Sequence, residues 1–293
     1  MYKYYRKVPA EKLEQFMRFR QEQLPKHCEV EGVNWEYLCS GDPARQPLLL
    51  LPGGLGTAES AWRTFNLFDQ GKYRIVCPSY PAEVDSMSAL AGGVAAILTQ
   101  EGIDQLYVVG GSYGGMLAQV FTHRYPAMVR KLILSHTYPP VKERARRVDP
   151  ALRLFRVMPL SLVKKILRAQ MTGILPANAS PELLILAGQI HETLDTRLTR
   201  EAALNTYRRM KDFDRQNFSP ADLARWQGKV LIIFAEDDPT TPELLRKELL
   251  ALYPGAATHL FSGSGHATAI LESSDYIQVM ENFLEENDQW IDN

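Results

Sequence analysis

The pentapeptide Gly-Gly-Ser-Tyr-Gly at 110–114 constrains the fold of this chain more than any other stretch. An apolar run at 106–109 precedes it, and a helix-like run at 116–121 follows it. A serine between a strand and a helix lies in a very tight turn, and flanking glycines remove the Cβ atoms that would collide there. Such a turn strains Ser112 and exposes its hydroxyl at the edge of a sheet. The alternative is a glycine-rich turn whose serine only caps the helix.

Composition excludes several classes of protein. The 293 residues predict one core domain with a sizeable insertion, and 45% apolar with 23% charged residues is ordinary for a globular protein. The net charge of −1 gives no reason to expect a nucleic-acid partner. The N-terminus lacks the apolar stretch of a signal peptide, and no apolar run approaches the roughly 18 residues of a membrane span.

The cysteines and histidines indicate neither a disulfide framework nor a metal site. Cys28, Cys39 and Cys77 are few and widely spaced, which favours a reducing, cytoplasmic setting. No His/Cys cluster has the spacing of metal ligands, and no dinucleotide-binding motif follows a strand. We therefore expect no metal and no organic cofactor.

Apolar runs and helical patterns alternate along most of the chain. An amphipathic helix over 10–24 is followed by an antiparallel strand pair around Gly32. The further predicted strands are 48–51, 73–77, 106–109, 129–134, 230–234 and 258–261. The predicted helices are 61–68, 86–101, the run after Ser112, a helix that ends at Tyr253 and a terminal helix around 276–284. This order predicts an α/β fold, with a mostly parallel central sheet and helices on both faces.

Residues 139–224 interrupt the alternation. They show no convincing strand and two long helical patterns, 152–168 with Pro159 inside it and 181–210. We expect a core of 1–138 and 225–293, with a helical cap of 139–224 inserted between two strands. The segment 142–168 holds nine Lys or Arg residues against two acidic ones. It is either a solvated face or a surface that steers acidic substrates or touches an anionic membrane.

Three predicted strands end in loops that carry a serine, a carboxylate and a histidine, in that order. Ser112 comes first, Asp237 or Asp238 follows the strand at 230–234, and His266 follows the last strand. Serine becomes a nucleophile when a base accepts its proton, and histidine is the suitable base near neutral pH. A carboxylate orients the histidine and stabilises its charged form, so the order predicts a Ser-Asp-His triad. The other histidines are expected to be structural or surface residues: His123, His136 and His259.

Two neighbouring threonines follow the candidate carboxylates. Thr240 or Thr241 can cap the helix that ends at Tyr253, with Pro242 near its first position.

A glycine-rich loop at 52–56 follows the strand at 48–51. Backbone N–H groups in such a loop can hold an anion or the oxyanion of an acyl transfer. We expect the oxyanion donors to be the N–H groups of Tyr113 and Gly54, with Leu55 as the second choice to Gly54. The loop is not a P-loop, because no Gly-Lys-Ser/Thr follows it. The alternative is an ordinary turn between a strand and a helix.

Nearly the whole chain resembles the α/β-hydrolase superfamily. The matching stretches are Leu-Pro-Gly-Gly at 51–54, Gly-Gly-Ser-Tyr-Gly-Gly at 110–115, Phe-Ala-Glu-Asp-Asp-Pro at 234–239 and Gly-His at 265–266. The resemblance implies that Asp238, directly before Pro239, is the triad acid. Two positions depart from the superfamily pattern: Pro52 stands where histidine is frequent, and Ala235 stands where glycine is common.

Within the superfamily, the layout looks like the maspardin-type branch. The similar stretches are Gly-Thr-Ala at 56–58, Ser-Tyr-Pro at 79–81 and Leu-Tyr-Pro at 252–254. Maspardin-like proteins are thought to serve as binding proteins and lack a complete triad. This sequence differs, because all three triad residue types stand in the motif positions.

The sequence thus predicts a cofactor-free serine hydrolase that cleaves a carboxylic ester or related acyl bond of a small molecule through an acyl-enzyme. The cap, rich in Leu, Met and Phe, is expected to roof a mostly apolar acyl pocket. The serine excludes the carboxylate nucleophile of the family's dehalogenases and epoxide hydrolases. The alternatives are a non-catalytic, maspardin-like binding or adaptor protein, and an acyltransferase or lyase on the same fold. Neither the substrate nor the oligomeric state follows from the sequence.

Overall fold

A computed structural model of the protein describes residues 2–68, 71–175 and 180–286. Within these residues an eight-stranded sheet has the strand order β1-β2-β4-β3-β5-β6-β7-β8. The strands are β1 (Lys26–Val30), β2 (Val33–Ser40), β3 (Gln46–Leu51), β4 (Tyr73–Pro78), β5 (Leu106–Gly111), β6 (Val129–Ser135), β7 (Lys229–Ala235) and β8 (Ala257–Phe261). Each strand predicted from an apolar run lies within one of them.

The sheet is antiparallel only at its N-terminal edge. β1 pairs antiparallel with β2, and β2 pairs antiparallel with β4. All other neighbouring strands are parallel. Parallel strands need crossover connections, and helices then cover both faces, which is why these strands are continuous apolar runs. The carboxyl ends of β3 and β5 to β8 consequently meet at one edge of the sheet.

The helices pack on both faces of this sheet. Those of the described residues are α1 (Ala10–Glu22), α2 (Trp62–Phe68), α3 (Met87–Gln100), α4 (Tyr113–Arg124), α5 (Lys142–Val157), α6 (Leu160–Gly173), α7 (Pro181–Thr196), α8 (Arg200–Asp214), α9 (Glu243–Leu252), α10 (Thr268–Leu271) and α11 (Ser273–Glu285). α3, α4 and α9 bury apolar side chains against one face, and α1, α2 and α11 against the other. None of these helices is long and apolar enough to cross a membrane.

Four helices, α5 to α8, lie between β6 and β7 and are called the helical insertion (142–214) below. α5 ends at Val157 and α6 begins at Leu160, on either side of Pro159, which disfavours helical backbone at the residue before it. The predicted run 181–210 also divides into two helices, and Thr199 caps the second of them. Phe155 and Val163 pack with α8 in a small core. The division into a core and a cap at 139 and 225 stays a prediction.

The sheet buries charged side chains, among them that of Lys131. Lys131 in β6 is fully buried, and its amine donates hydrogen bonds to the carbonyls of Phe283 (3.2 Å), Leu284 (2.9 Å) and Glu286 (2.7 Å). The last carbonyls of a helix lack partners within the helix, and a cation is favourable there. Lys131 therefore satisfies the end of α11 and ties this helix to the sheet.

We expect Lys131→Met to lower the free energy of unfolding by about 2 kcal/mol, because buried carbonyls lose a charged donor while the hydrocarbon stem is kept. Urea unfolding followed by circular dichroism measures the change. The matched control is Lys72→Met, which removes a half-exposed ion pair with Glu281 and Glu285 of the same helix. Exposed pairs contribute about 1 kcal/mol or less, so equal losses in the two variants would contradict this role of Lys131.

Candidate active site

The turn after β5 holds Ser112 in a strained backbone conformation. Its φ is 52° and its ψ is −121°, in a region that residues with a Cβ rarely occupy. α4 begins at the next residue and lies directly against the sheet. A Cβ on Gly110 would clash with Gly114, and a Cβ on Gly114 would clash with the backbone of Leu51 in β3. Close packing therefore requires glycine at both positions of the motif.

Ser112, His266 and Asp238 form one line of hydrogen bonds. The Oγ of Ser112 lies 2.9 Å from Nε2 of His266, and Nδ1 of His266 lies 2.9 Å from Oδ2 of Asp238. These residues follow β5, β8 and β7, whose carboxyl ends meet at the same edge of the sheet. The Ser112 side chain makes no capping hydrogen bond to α4, so the interpretation of this serine as a simple helix cap is wrong.

The two candidate carboxylates have different environments. Asp237 is exposed and accepts a hydrogen bond from the N–H of Gly265 (2.9 Å). Asp238 is 3% exposed and faces His266. Asp238 thus has the contact that a triad acid requires, and Asp237 steadies the loop that carries the histidine.

Thr240 also contacts these groups. Its hydroxyl donates a hydrogen bond to Oδ1 of Asp238 (2.7 Å) and lies 2.9 Å from Nδ1 of His266. Its backbone N–H donates to the same carboxylate oxygen (2.8 Å). The predicted capping role is wrong, because α9 begins after Pro242 without a side-chain cap. A threonine before a helix carries the same sequence signal in either role, so only the contacts separate them.

These contacts keep Asp238 ionised. Burial raises the pKa of Asp238, but the hydrogen bonds from His266 and Thr240 and the positive charge of His266 outweigh it and lower the pKa to about 2. A carboxylate in this state can hold the Nδ1–H of His266 and leave Nε2 free to accept a proton from Ser112.

A second buried histidine, His136, supports the loop that carries His266. Ser135 Oγ lies 2.6 Å from its Nδ1, and Thr268 Oγ1 lies 2.9 Å from its Nε2. Thr268 donates its own proton to the carbonyl of Gly265 (3.0 Å). The Nε2 of His136 is therefore the donor to Thr268, and Ser135 donates to Nδ1. The contacts of His136 agree with the expected structural role.

Tyr80 holds the glycine-rich loop 52–56 at both ends. Its hydroxyl donates to the carbonyl of Pro52 (2.8 Å), and its backbone N–H donates to the carbonyl of Gly56 (2.7 Å). No periodicity or motif spacing marks this contact, because Tyr80 lies after a different strand. These two hydrogen bonds from Tyr80 consequently fix the loop, although it is rich in glycine.

The backbone N–H groups expected as oxyanion donors are available. Tyr113 is the first residue of α4, so its N–H has no acceptor within the helix. Among the described residues, no acceptor takes the N–H of Gly54 or of Leu55. Gly54 and Leu55 line the same cavity as Ser112.

Ser112 and His266 open into a cavity of about 300 Å³ with a mostly apolar wall. α2, the glycine-rich loop and the helical insertion form this wall. An ion pair between Arg63 and Glu182 (3.2 Å) is its main charged feature. A small organic molecule suits a cavity of this size and character. The insertion contributes Met171, Ile174, Leu175, Leu186, Gln189 and Ile190.

The basic segment 142–168 does not reach this cavity. None of its nine Lys and Arg residues lines the wall. Two of them have acidic partners: Arg144 pairs with Asp214, and Arg168 pairs with Asp195 (2.6 Å). The choice between a solvated face and a steering surface stays a prediction.

The cysteines are free thiols. In the part of the chain that the structure describes, no group of three or more His, Cys, Asp or Glu side chains is placed to hold a metal ion.

Known proteins share this fold. A family model described as "Alpha/beta hydrolase family" matches residues 48–279. Since this is most of the sequence, the chain belongs to the alpha/beta hydrolase family. The proline iminopeptidase of Lactobacillus delbrueckii subsp. lactis is 26% identical over 283 residues, which cover 86% of this chain and 95% of that protein.

Solved structures agree at the level of the fold. The enol-lactonase from Burkholderia xenovorans LB400 has a TM-score of 0.72 at 16% identity and covers 89% of this chain and 100% of its own. Carboxylesterase CesB from Bacillus subtilis has a TM-score of 0.69 at 15% identity, with 95% and 100% covered. The superfamily predicted from the motifs is confirmed, whereas the maspardin-like branch stays a prediction.

We expect stability to depend on His136 at acidic pH. Burial and the positive charge of His266 lower the pKa of His136 to about 4. In the unfolded chain its pKa is about 6.5, so the unfolded state binds a proton first as the pH falls. The native state therefore loses up to about 3 kcal/mol of stability between roughly pH 6.5 and pH 4.

Urea unfolding of His136→Gln across this pH range measures the effect, because the variant should lose stability less steeply than the parent protein. Exposed His27→Gln is the control and should keep the parent slope. An unchanged slope in His136→Gln would show that other groups cause the acid sensitivity.

Proposed function

We propose that this alpha/beta hydrolase is a cofactor-free serine hydrolase that cleaves a carboxylic ester or related acyl bond of a small molecule. The observation that carries the proposal is the unbroken hydrogen-bonded line from Ser112 through His266 to Asp238, at the mouth of a mostly apolar cavity. The fold alone does not fix the reaction. The proposal therefore rests on the side chains of the site.

The proposed reaction has two halves. In the first, Ser112 Oγ attacks the acyl carbon while Nε2 of His266 accepts its proton, and the same nitrogen then protonates the leaving alcohol. In the second, His266 takes a proton from water, the hydroxide attacks the acyl-enzyme, and Ser112 recovers its proton. Asp238 remains ionised throughout and stabilises the imidazolium. Its pKa of about 2 is consistent with this role.

Two backbone groups are proposed to bind the oxyanion. The N–H of Tyr113 follows the nucleophile directly and points from the first turn of α4, where partial positive charge gathers. The N–H of Gly54 is the proposed second donor. The bracing of its loop by Tyr80 supports this assignment, because an oxyanion hole is effective when its donors are held in place before reaction.

The helical insertion is proposed to act as a cap over the acyl pocket. Its helices α6 and α7 supply apolar side chains to the cavity wall opposite the sheet edge. In this proposal, residues 1–138 and 225–293 form the hydrolase core, and 139–224 form the cap. The cap would select substrates, whereas the core carries the chemistry.

Labelling with a fluorophosphonate probe tests the nucleophile. We expect the parent protein to be labelled and Ser112→Ala to lose the label completely, since the probe bonds only to an activated serine. Ser60→Ala is the matched control, because Ser60 lines the same cavity and donates its hydroxyl proton to a backbone carbonyl. It should be labelled like the parent.

Two outcomes would contradict the assignment of Ser112 as the nucleophile of a hydrolase. Equal labelling of Ser112→Ala and the parent would place the nucleophile elsewhere. A folded parent protein that neither reacts with the probe nor cleaves p-nitrophenyl esters of any acyl length would favour the binding-protein alternative.

Proline substitutions test the second oxyanion donor. Proline has no N–H, so Gly54→Pro should lower kcat for a p-nitrophenyl ester about 100- to 1,000-fold. Leu55→Pro removes the neighbouring N–H and serves as its control, with a much smaller loss expected. Gly54→Ala keeps the N–H, and its Cβ would point into open space, so this variant should stay active. The reverse ranking of the two proline variants would assign the donor to Leu55.

A further inference from the structure

A second cavity, of about 270 Å³, adjoins the one that contains Ser112. The two share Gly54, Leu55 and Met171 in their walls. The loop proposed to hold the oxyanion therefore forms the boundary between them. Tyr113, directly after Ser112, also lines the second cavity. A substrate whose carbonyl lies at Ser112 can extend past Gly54 into this space.

Arg209 of α8 lines the second cavity with a guanidinium that has no anionic partner. The residue is 3% exposed, and its Nε donates to the carbonyl of Asn205 in the same helix (3.1 Å). Among the described residues, no Asp or Glu oxygen lies within ion-pair distance of Arg209, and the polar side chain that its guanidinium faces is the neutral phenol of Tyr113. Burial without a counter-charge is unfavourable for a cation, because water is lost and no opposite charge replaces it.

The other charges in the wall leave the second cavity positive. They are Arg197, which is exposed, and Glu36, so two positive residues face one negative residue. The carboxylate of Glu36 lies 3.5 Å from the hydroxyl of Ser79 and does not pair with Arg209. Burial raises the pKa of Tyr113 to about 12, and the positive charge of Arg209 opposes this rise. Arg209 therefore acts on the residue directly after the nucleophile.

We infer that Arg209 binds a carboxylate of the substrate, so that the molecule attacked by Ser112 is an anionic ester or acyl compound whose negative group lies in the second cavity. A guanidinium and a carboxylate match in shape and form two parallel N–H···O bonds. The inference rests on the proposed function for the position of the reacting carbonyl. Binding of the anion does not require cleavage of the ester, so it can be measured separately from activity.

Paired substrates test the inference by kinetics. In the first pair, the anionic member has its carboxylate on the acyl side of the ester: p-nitrophenyl hydrogen glutarate is compared with its neutral terminal amide. In the second pair, the carboxylate of the anionic member lies on the alcohol side: acetoxybutyrate is compared with the neutral acetoxybutyramide. We expect the parent protein to prefer the anionic member of at least one pair. Arg209→Gln should lower kcat/KM about 10- to 100-fold more for that member than for its neutral counterpart, because only the anionic member loses a charge-assisted hydrogen-bond pair.

Arg208→Gln is the matched control. Arg208 lies on the same helix, donates to the side chain of Asn205 (2.6 Å) and does not line the second cavity. Its loss changes the net charge equally, so a general electrostatic effect would appear in both variants. A preference for the anionic substrate that falls in Arg209→Gln and persists in Arg208→Gln supports the inference.

Binding separates this inference from the proposed function. Monomethyl glutarate should bind to Ser112→Ala more tightly than dimethyl glutarate by calorimetry, and about 10-fold more weakly when Arg209→Gln is added, as expected for one charged partner. This result supports the anion site even if the parent protein cleaves no ester and the proposed function fails.

Three results would overturn the inference. The first is equal kcat/KM for the two members of both pairs in an active parent protein. The second is a preference that survives Arg209→Gln and disappears in Arg197→Gln, which would place the anion on another residue. The third is equal binding of monomethyl glutarate with and without Arg209.

Discussion

The contact of α4 with β3 and β5 is the constraint on which the site depends. The helix begins at Tyr113, so close to the sheet that Gly114 meets the backbone of Leu51. The chain enters this helix through Ser112, which adopts a positive φ of 52°. The same contact directs the serine hydroxyl outward and brings the loop after β3 beside it. The positions of the proposed nucleophile and of both proposed oxyanion donors thus follow from one packing arrangement.

Two histidines lie side by side, with ring centroids 5.9 Å apart, in very different environments. His266 faces the ionised Asp238, whereas His136 has only hydroxyl partners. Burial and the neighbouring His266 hold the pKa of His136 near 4. His136 therefore stays neutral at physiological pH and adds no second positive charge that would oppose an imidazolium on His266. Environment rather than residue type separates the two roles.

The helical insertion is joined to the core by polar contacts that place its side chains in both cavities. Asn205 of α8 donates to the carbonyl of Ala82 in the loop after β4 (2.7 Å), and Gln189 of α7 donates to the carbonyl of Glu59 (3.0 Å). Arg209 lies one helical turn from Asn205, so the same anchor positions its guanidinium. Fixed contacts of this kind keep a binding side chain in place before a ligand arrives.

The sequence by itself determined the strands and the tight turn around Ser112, because these depend on local periodicity and on glycine at the turn. It also placed a serine, an aspartate and a histidine, in that order, after three of the strands. The resemblance to the α/β-hydrolase superfamily implied Asp238 rather than its neighbour Asp237, and only the tertiary structure showed that Asp238 contacts His266. The tertiary structure also decided the partners of Thr240 and Tyr80 and the exposure of Arg209 to a cavity. Each of these depends on which distant segment approaches a side chain. Periodicity reports the face on which a residue lies, and it carries no information about what covers that face.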